Sequence, residues 1–140
     1  MQANRPELLD FLQSEDSSLR EKAAHALAYI HTQTGIEVLI AGLNDEDSEV
    51  RKACIRSLAM IGDERAITPL IDLLNDSRAD VLRRVLLAVA SFKCYDAAPI
   101  LEKFLEDTDE GVRQTASDIL EGLENGTERD FYRWGNTHYE

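Results

Sequence analysis

Four segments of the sequence superimpose at one constant spacing, and this periodicity limits the fold more than any other property of the chain. Leu19, Val50, Val81 and Val112 lie 31 residues apart, within Asp16-Ser-Ser-Leu-Arg, Asp47-Ser-Glu-Val-Arg, Arg78-Ala-Asp-Val-Leu and Asp109-Glu-Gly-Val-Arg. Leu27, Leu58, Val89 and Leu120 keep the register, as do Ile30, Ile61, Phe92 and Leu123. In the other half of each unit, Leu8, Leu39, Leu70 and Leu101 precede Leu12, Leu43, Leu74 and Leu105. A fixed period of roughly 20–50 residues marks a chain assembled from stacked supersecondary units, none of which buries its apolar face alone. Four such units account for all but about 16 of the 140 residues.

The spacing inside each unit is helical. Val50, Cys54, Ser57, Leu58 and Ile61 fall at i, i+4, i+7, i+8 and i+11 and form one stripe of a longer helix, the B-type helix. A shorter A-type helix reads Ile67-Thr-Pro-Leu-Ile-Asp-Leu-Leu, with Pro69 in the first turn, where its missing N–H needs no partner. Pro6 and Pro99 sit similarly early. Asp47 and Asp109 precede their B-type helices as N-caps, and Asn44-Asp45, Asn75-Asp76 and Glu106-Asp107 mark the A-to-B turns. Gly62 stands where a left-handed C-cap is needed. Composition agrees: 44% hydrophobic residues with only Gly 7 and Pro 3 suit helices and oppose a turn-rich β protein or a disordered acidic chain.

Repeat two, from Asp47-Ser-Glu-Val-Arg through Ala-Met-Ile-Gly-Asp-Glu-Arg-Ala-Ile-Thr-Pro-Leu to Asn75-Asp76, resembles a HEAT repeat of the short, phycobilisome-lyase-like type. Its pattern D-x-x-V-R-x-x-A-x-x-A-L-x-x-I-G-D-x-x-A-I-x-x-L is met nearly in full, and the resemblance extends over about residues 5–128. It implies an all-α fold, a right-handed α-α superhelix (a HEAT-like solenoid) of four helical hairpins plus a C-terminal cap segment. A single domain over 1–140 is expected, with repeats at about 5–35, 36–66, 67–97 and 98–128 and an aromatic tail at 129–140. Repeat three departs from the pattern, with Leu82 where the family has Arg and Lys93 where Gly62 sits in repeat two. Leu82 is therefore expected to expose an apolar side chain.

The most regular polar feature is the column Arg20, Arg51 and Arg113 together with the turn acids Asp45, Asp76 and Asp107. Charge-assisted bonds from these guanidinium groups to turn carbonyls and carboxylates would tie successive turns together. On the B-type helices, the face away from the A-type helices, which the resemblance implies is concave, presents Glu21, His25 and Ala28, then Lys52, Arg56 and Ala59, then Arg83, Leu87 and Ala90. Lys52, Arg56 and Arg83 surround an expectedly exposed Leu87 in a chain whose formal net charge is −12. With His25 and Leu82 they form the candidate partner-binding set, suited to an acidic and hydrophobic segment. Phe131, Tyr132, Trp134 and Tyr139 cluster in the tail, where Phe131 and Tyr132 continue the columns of Ile100 and Leu101, as residues covering the open end of a stack would.

Catalytic patterns are missing from the sequence. His25, His31 and His138 form no His-x-x-x-His or His-Glu spacing, so neither a metal site nor the paired iron motifs of the HEAT-like deoxyhypusine hydroxylases is expected. Cys54 occupies a core column, Cys94 ends the third B-type helix, and two cysteines make no disulfide framework. The residues predict a non-enzymatic protein–protein scaffold or adaptor without cofactor, monomeric, that binds another protein or peptide. Two alternatives stand beside it: a bilin-handling, lyase-like protein, which the resemblance implies, and an acidic inhibitor of a basic toxin or nuclease, which the charge implies. Acidity disfavours nucleic acid and anionic membranes, and the absence of an apolar run at Met1–Pro6 predicts a cytoplasmic protein.

Overall fold

The computed structural model describes residues 9–75, 78–92 and 95–125, and among them every regular element is helical. The chain divides into two compact units at Pro69 and Leu70. After a short helical stretch at 9–11, the first unit contains α1 (Ser17–Leu27), α2 (Gln33–Gly42) and α3 (Ser48–Ile61), followed by a 3-10 turn at Glu64–Ala66. The boundary falls inside α4 (Ile67–Asp72). The second unit continues with a 3-10 turn at Leu73–Asn75, then α5 (Ala79–Ala90), α6 (Ala98–Lys103), a 3-10 turn at Phe104–Glu106, and α7 (Glu110–Asn125). A-type and B-type helices thus alternate as the period requires, with α2, α4 and α6 of the first kind and α1, α3, α5 and α7 of the second.

Local chemistry sets the ends. Asp16, one period ahead of Asp47, caps α1 by accepting from the Ser18 amide at 2.9 Å, and Asp47 caps α3 through the Glu49 amide at 2.8 Å. Asp109 Oδ2 accepts from the Val112 amide at 2.9 Å and closes the first turn of α7. Arg78 holds the equivalent position before α5 and has no acceptor to offer. Gly62 ends α3 at φ 75° and ψ 21°, where its amide donates to Leu58 O at 2.9 Å. No side chain suits that left-handed conformation as well as glycine does.

In the first unit α3 packs against both α1 and α2, and most register positions become its core: Leu27, Leu39, Leu43, Val50, Cys54, Ile55 and Leu58 are buried, whereas Leu19, in the column of Val50, is exposed. Ser57 is a buried polar member, and its hydroxyl donates to Ala24 O of α1 at 2.6 Å, so this hydroxyl is satisfied between the two helices. In the second unit α7 packs against α5, α6 and the Phe104–Glu106 turn over Val81, Val85, Leu101, Val112, Ala116 and Ile119.

Two expectations of exposure fail. Leu87 is 3% exposed and Leu82 is 7% exposed. The cause is the width of the apolar arc on α5, where Val85 through Ala90 form a continuous buried run. A helix that is apolar around most of its circumference is buried around most of it. Projecting one stripe per helix assigned Leu87 to the surface wrongly, and reading Leu82 as a leucine in an exposed arginine position did the same for it. Ile55 and Leu86, beside the same face, are buried as well. Cys94 and the tail residues Phe131, Tyr132, Trp134 and Tyr139 lie outside the described residues.

Candidate interaction face

In the first unit the arginine column links one repeat to the next, as its spacing predicts. Arg20 in α1 donates from Nε and Nη2 to the two carboxylate oxygens of Asp45 at 2.9 and 3.1 Å, and from Nη1 to Ser14 O at 2.7 Å. Asp45 Oδ1 also accepts from the Asp47 amide at 2.9 Å, and Asp45 O accepts from Arg51 Nη1 at 2.6 Å. One turn acid thus joins the arginine of the repeat before it to that of its own repeat. The bidentate fork makes the link directional as well as strong, and the Asp45 carboxylate beside it raises the Arg20 pKa further. In the second unit Arg113 repeats the local half of the pattern, donating from Nη1 to Asp107 O at 2.8 Å. Leu82 occupies the intervening arginine position and cannot donate.

On the B-type helices of the first unit, equivalent residues are neighbours. Arg56 Nη1 lies 3.2 Å from His25 Nδ1, two side chains 31 residues apart in the sequence. Since a guanidinium can only donate, the imidazole nitrogen is the acceptor, which fixes the neutral ring with its hydrogen on Nε2 for this bond. Glu21 lies one turn away on α1, with its carboxylate 3.8 Å from His25 Nε2. Lys52 contacts Glu49 at 2.9 Å. Of the expected basic set, the structure thus brings Arg56 to His25, while the Lys52 ammonium is engaged by Glu49. Arg83 belongs to the second unit, where its Nη1 lies 3.7 Å from Asp109 Oδ2 and beside Gly111 at the start of α7.

The candidate set omitted two residues. Tyr29 is 74% exposed and Met60 is 39% exposed, and they occupy one column. Each lies four residues beyond a member of the charged column, Tyr29 after His25 and Met60 after Arg56. The projection had instead continued each stripe at i+3 to Ala28 and Ala59; Ala28 is buried and Ala59 half-buried. Large apolar side chains repeating at the period of the chain were the available signal.

Asp63, just beyond the end of α3, is engaged locally. Its carboxylate accepts from the Arg65 amide, Nε and Nη2 at 2.9, 3.0 and 3.0 Å, and Arg65 holds its pKa down to about 2. A depressed carboxylate pKa contributes stability that is present above the unfolded value and is lost as pH falls through the folded one. Asp63→Asn is therefore expected to flatten the acid limb of the stability curve between about pH 4 and pH 2, read from urea midpoints across that range. Cys54 is buried in the core, where desolvation pushes its thiol up to about 12 and leaves it a poor nucleophile at neutral pH. Among the described residues no three His, Cys, Asp or Glu side chains gather as metal ligands would, and no helix is long and apolar enough to cross a membrane.

Alternating short and long helices in register at 31 residues, with an arginine–aspartate link between the first two repeats, define a helical-repeat protein. The family model for HEAT repeats matches residues 5–90, and the chain belongs to the HEAT-repeat family. Among solved structures, it is similar to the complex of CpcE and CpcF of phycocyanin lyase from Nostoc sp. PCC7120, at 27% identity and TM-score 0.63, over 83% of this chain and 51% of that one. Two engineered proteins are similar at 28% and 29% identity with TM-scores 0.53 and 0.55, covering 79% and 84% of this chain and 58% and 36% of theirs. The chain thus spans little more than half, or less, of the structures it resembles. A search of curated proteins finds no match.

Proposed function

We propose that the chain is a non-catalytic HEAT-repeat scaffold that holds a partner protein on the B-type helices of its first unit, around His25, Lys52 and Arg56. The observation that carries the reading is the side-by-side placement of the α1 and α3 columns, joined at Arg56 and His25. Two helices already packed and capped present this surface without an ordering cost on binding. Affinity purification from the native cell, followed by mass spectrometry, tests it with three baits of equal helicity: the native chain, Lys52→Glu with Arg56→Glu, and Arg65→Glu as a charge reversal at the Glu64–Ala66 turn. A partner retained by the native chain and by Arg65→Glu, and reduced about tenfold or more on the double variant, is the expected result. Equal recovery on all three baits would place the partner elsewhere.

The likeness to the CpcE and CpcF complex supports a second reading, in which the chain handles a bilin. Mixing the purified chain with a bilin and recording its absorption spectrum separates the two: a shift favours pigment handling, and an unchanged spectrum with no transfer to a phycobiliprotein removes it.

A further inference from the structure

We infer that the segment from Glu128 onward docks on α7 as one further A-type element and seats Tyr132 over Leu120. This docking stands apart from the scaffold reading and follows from the register columns at the last B-type helix. Two contacts of α1 show which way its columns face. The Ser57 hydroxyl of α3 reaches Ala24 O at 2.6 Å, so position 24 looks toward the B-type helix that follows. A Cβ built on Gly35, near the start of α2, would stand 3.5 Å from Leu27 Cδ2, so position 27 looks toward the A-type helix that follows.

One period after another, both columns stay apolar until α7, where they separate. Toward a further B-type helix, Ala24, Ile55 and Leu86 are buried, but Ser117 is exposed. One turn on, Ala28 and Ala90 are buried and Ala59 half-buried, but Glu121 is exposed. A hydroxyl and a carboxylate replace the surface that another B-type helix would cover, and burying that carboxylate without a partner is costly. Toward a further A-type helix the surface remains apolar and is incompletely covered. Leu27 and Leu58 have no exposed surface and Val89 only 1%, whereas Leu120 is half-buried. Leu105, on the turn that packs against α7, is 38% exposed, although Leu12 and Leu43 of its column are buried and Leu74 half-buried. The end of the second unit thus suits half a repeat, its A-type half.

The sequence supplies that half in register. Tyr132 stands one period beyond Leu39, Leu70 and Leu101, none of which has exposed surface. Phe131 continues Val38, Pro69 and Ile100, all half-buried, and Trp134 continues Ala41, Asp72 and Lys103, all exposed. A tyrosine at the buried position brings a large apolar ring and keeps its hydroxyl at a wet rim, which suits an element with no helix stacked beyond it.

Thermal melts of the full chain test the docking, with Tyr132→Ala, Trp134→Ala, Leu120→Ala and the Leu120→Ala, Tyr132→Ala pair. Tyr132→Ala is expected to lower the midpoint by about 5 °C, and Trp134→Ala, in the exposed column, to leave it nearly unchanged. In the Leu120→Ala background the effect of Tyr132→Ala should shrink, because the two side chains touch. Sedimentation velocity on the same samples is expected to show a monomer. An unchanged midpoint in Tyr132→Ala, equal losses in Tyr132→Ala and Trp134→Ala, or a Tyr132→Ala loss identical in both Leu120 backgrounds overturns the inference. Coupling seen only where a dimer forms overturns it too, since the segment would then sit on α7 of a second copy.

Discussion

Leu58→Ala should lower the stability of the chain by about 2–5 kcal/mol, the cost of deleting a fully buried leucine and leaving a cavity that neighbours only partly fill. Leu58 has no exposed surface and lies on α3, where α1 and α2 both pack against the helix. At a total stability of about 5–15 kcal/mol, such a loss shifts the thermal midpoint by roughly 6–15 °C. Leu120 holds the same column in the last repeat but is only half-buried on α7. Leu120→Ala is therefore expected to cost clearly less, although the chemistry deleted is identical. Circular dichroism melts of the two variants make the comparison, and equal losses would show that position in the column, and not burial, governs the effect.

The second large effect has a sign opposite to helix propensity. Gly42 is the last residue of α2, and a Cβ built there collides with Cys54 Sγ of α3. In an open helix, Gly→Ala stabilises by about 1 kcal/mol; here overpacking of a closed interface should reverse that and cost about 1–3 kcal/mol. The thiol is the obstacle, because the Cys54 Cβ stands at 3.7 Å, an ordinary contact. In a Cys54→Ala background, Gly42→Ala should therefore become neutral or stabilising. The double-mutant cycle from urea unfolding gives the coupling directly. If Gly42→Ala is harmful to the same degree in both backgrounds, the close approach of α2 and α3 at this point is not what makes glycine necessary.

Most of the fold was legible because its determinants are local and repeated. The caps at Asp47 and Asp109, the left-handed Gly62 and the ladder from Arg20 to Asp45 each follow from a residue type recurring at a fixed offset. The spacing of 31 also puts His25 and Arg56 in one column, and their side chains meet at 3.2 Å. What the period does not encode is how far a neighbour wraps the flank of a helix. Leu87 was assigned to the surface because one stripe was taken as the whole core of α5, and Leu82 because it replaces an arginine of the column, whereas both Leu82 and the run from Val85 to Ala90 are buried. Tyr29 and Met60 were missed for the converse reason: their column lies one residue beyond the alanines chosen to continue the face. Charge was misjudged in a similar way. Lys52 counts as a cation in the sequence, but Glu49 three residues earlier reaches it at 2.9 Å.

The central claim is that a partner occupies the α1 and α3 face of the first unit, and amide chemical-shift mapping addresses it most directly. The isotopically labelled chain would be titrated with the partner it retains during purification, and the perturbed residues assigned. Shifts concentrated at residues 21–29 and 52–60, attenuated in the Arg56→Glu chain, are predicted. Shifts confined to α2 around Glu37 and Ile40, or left unchanged by Arg56→Glu, would contradict the account.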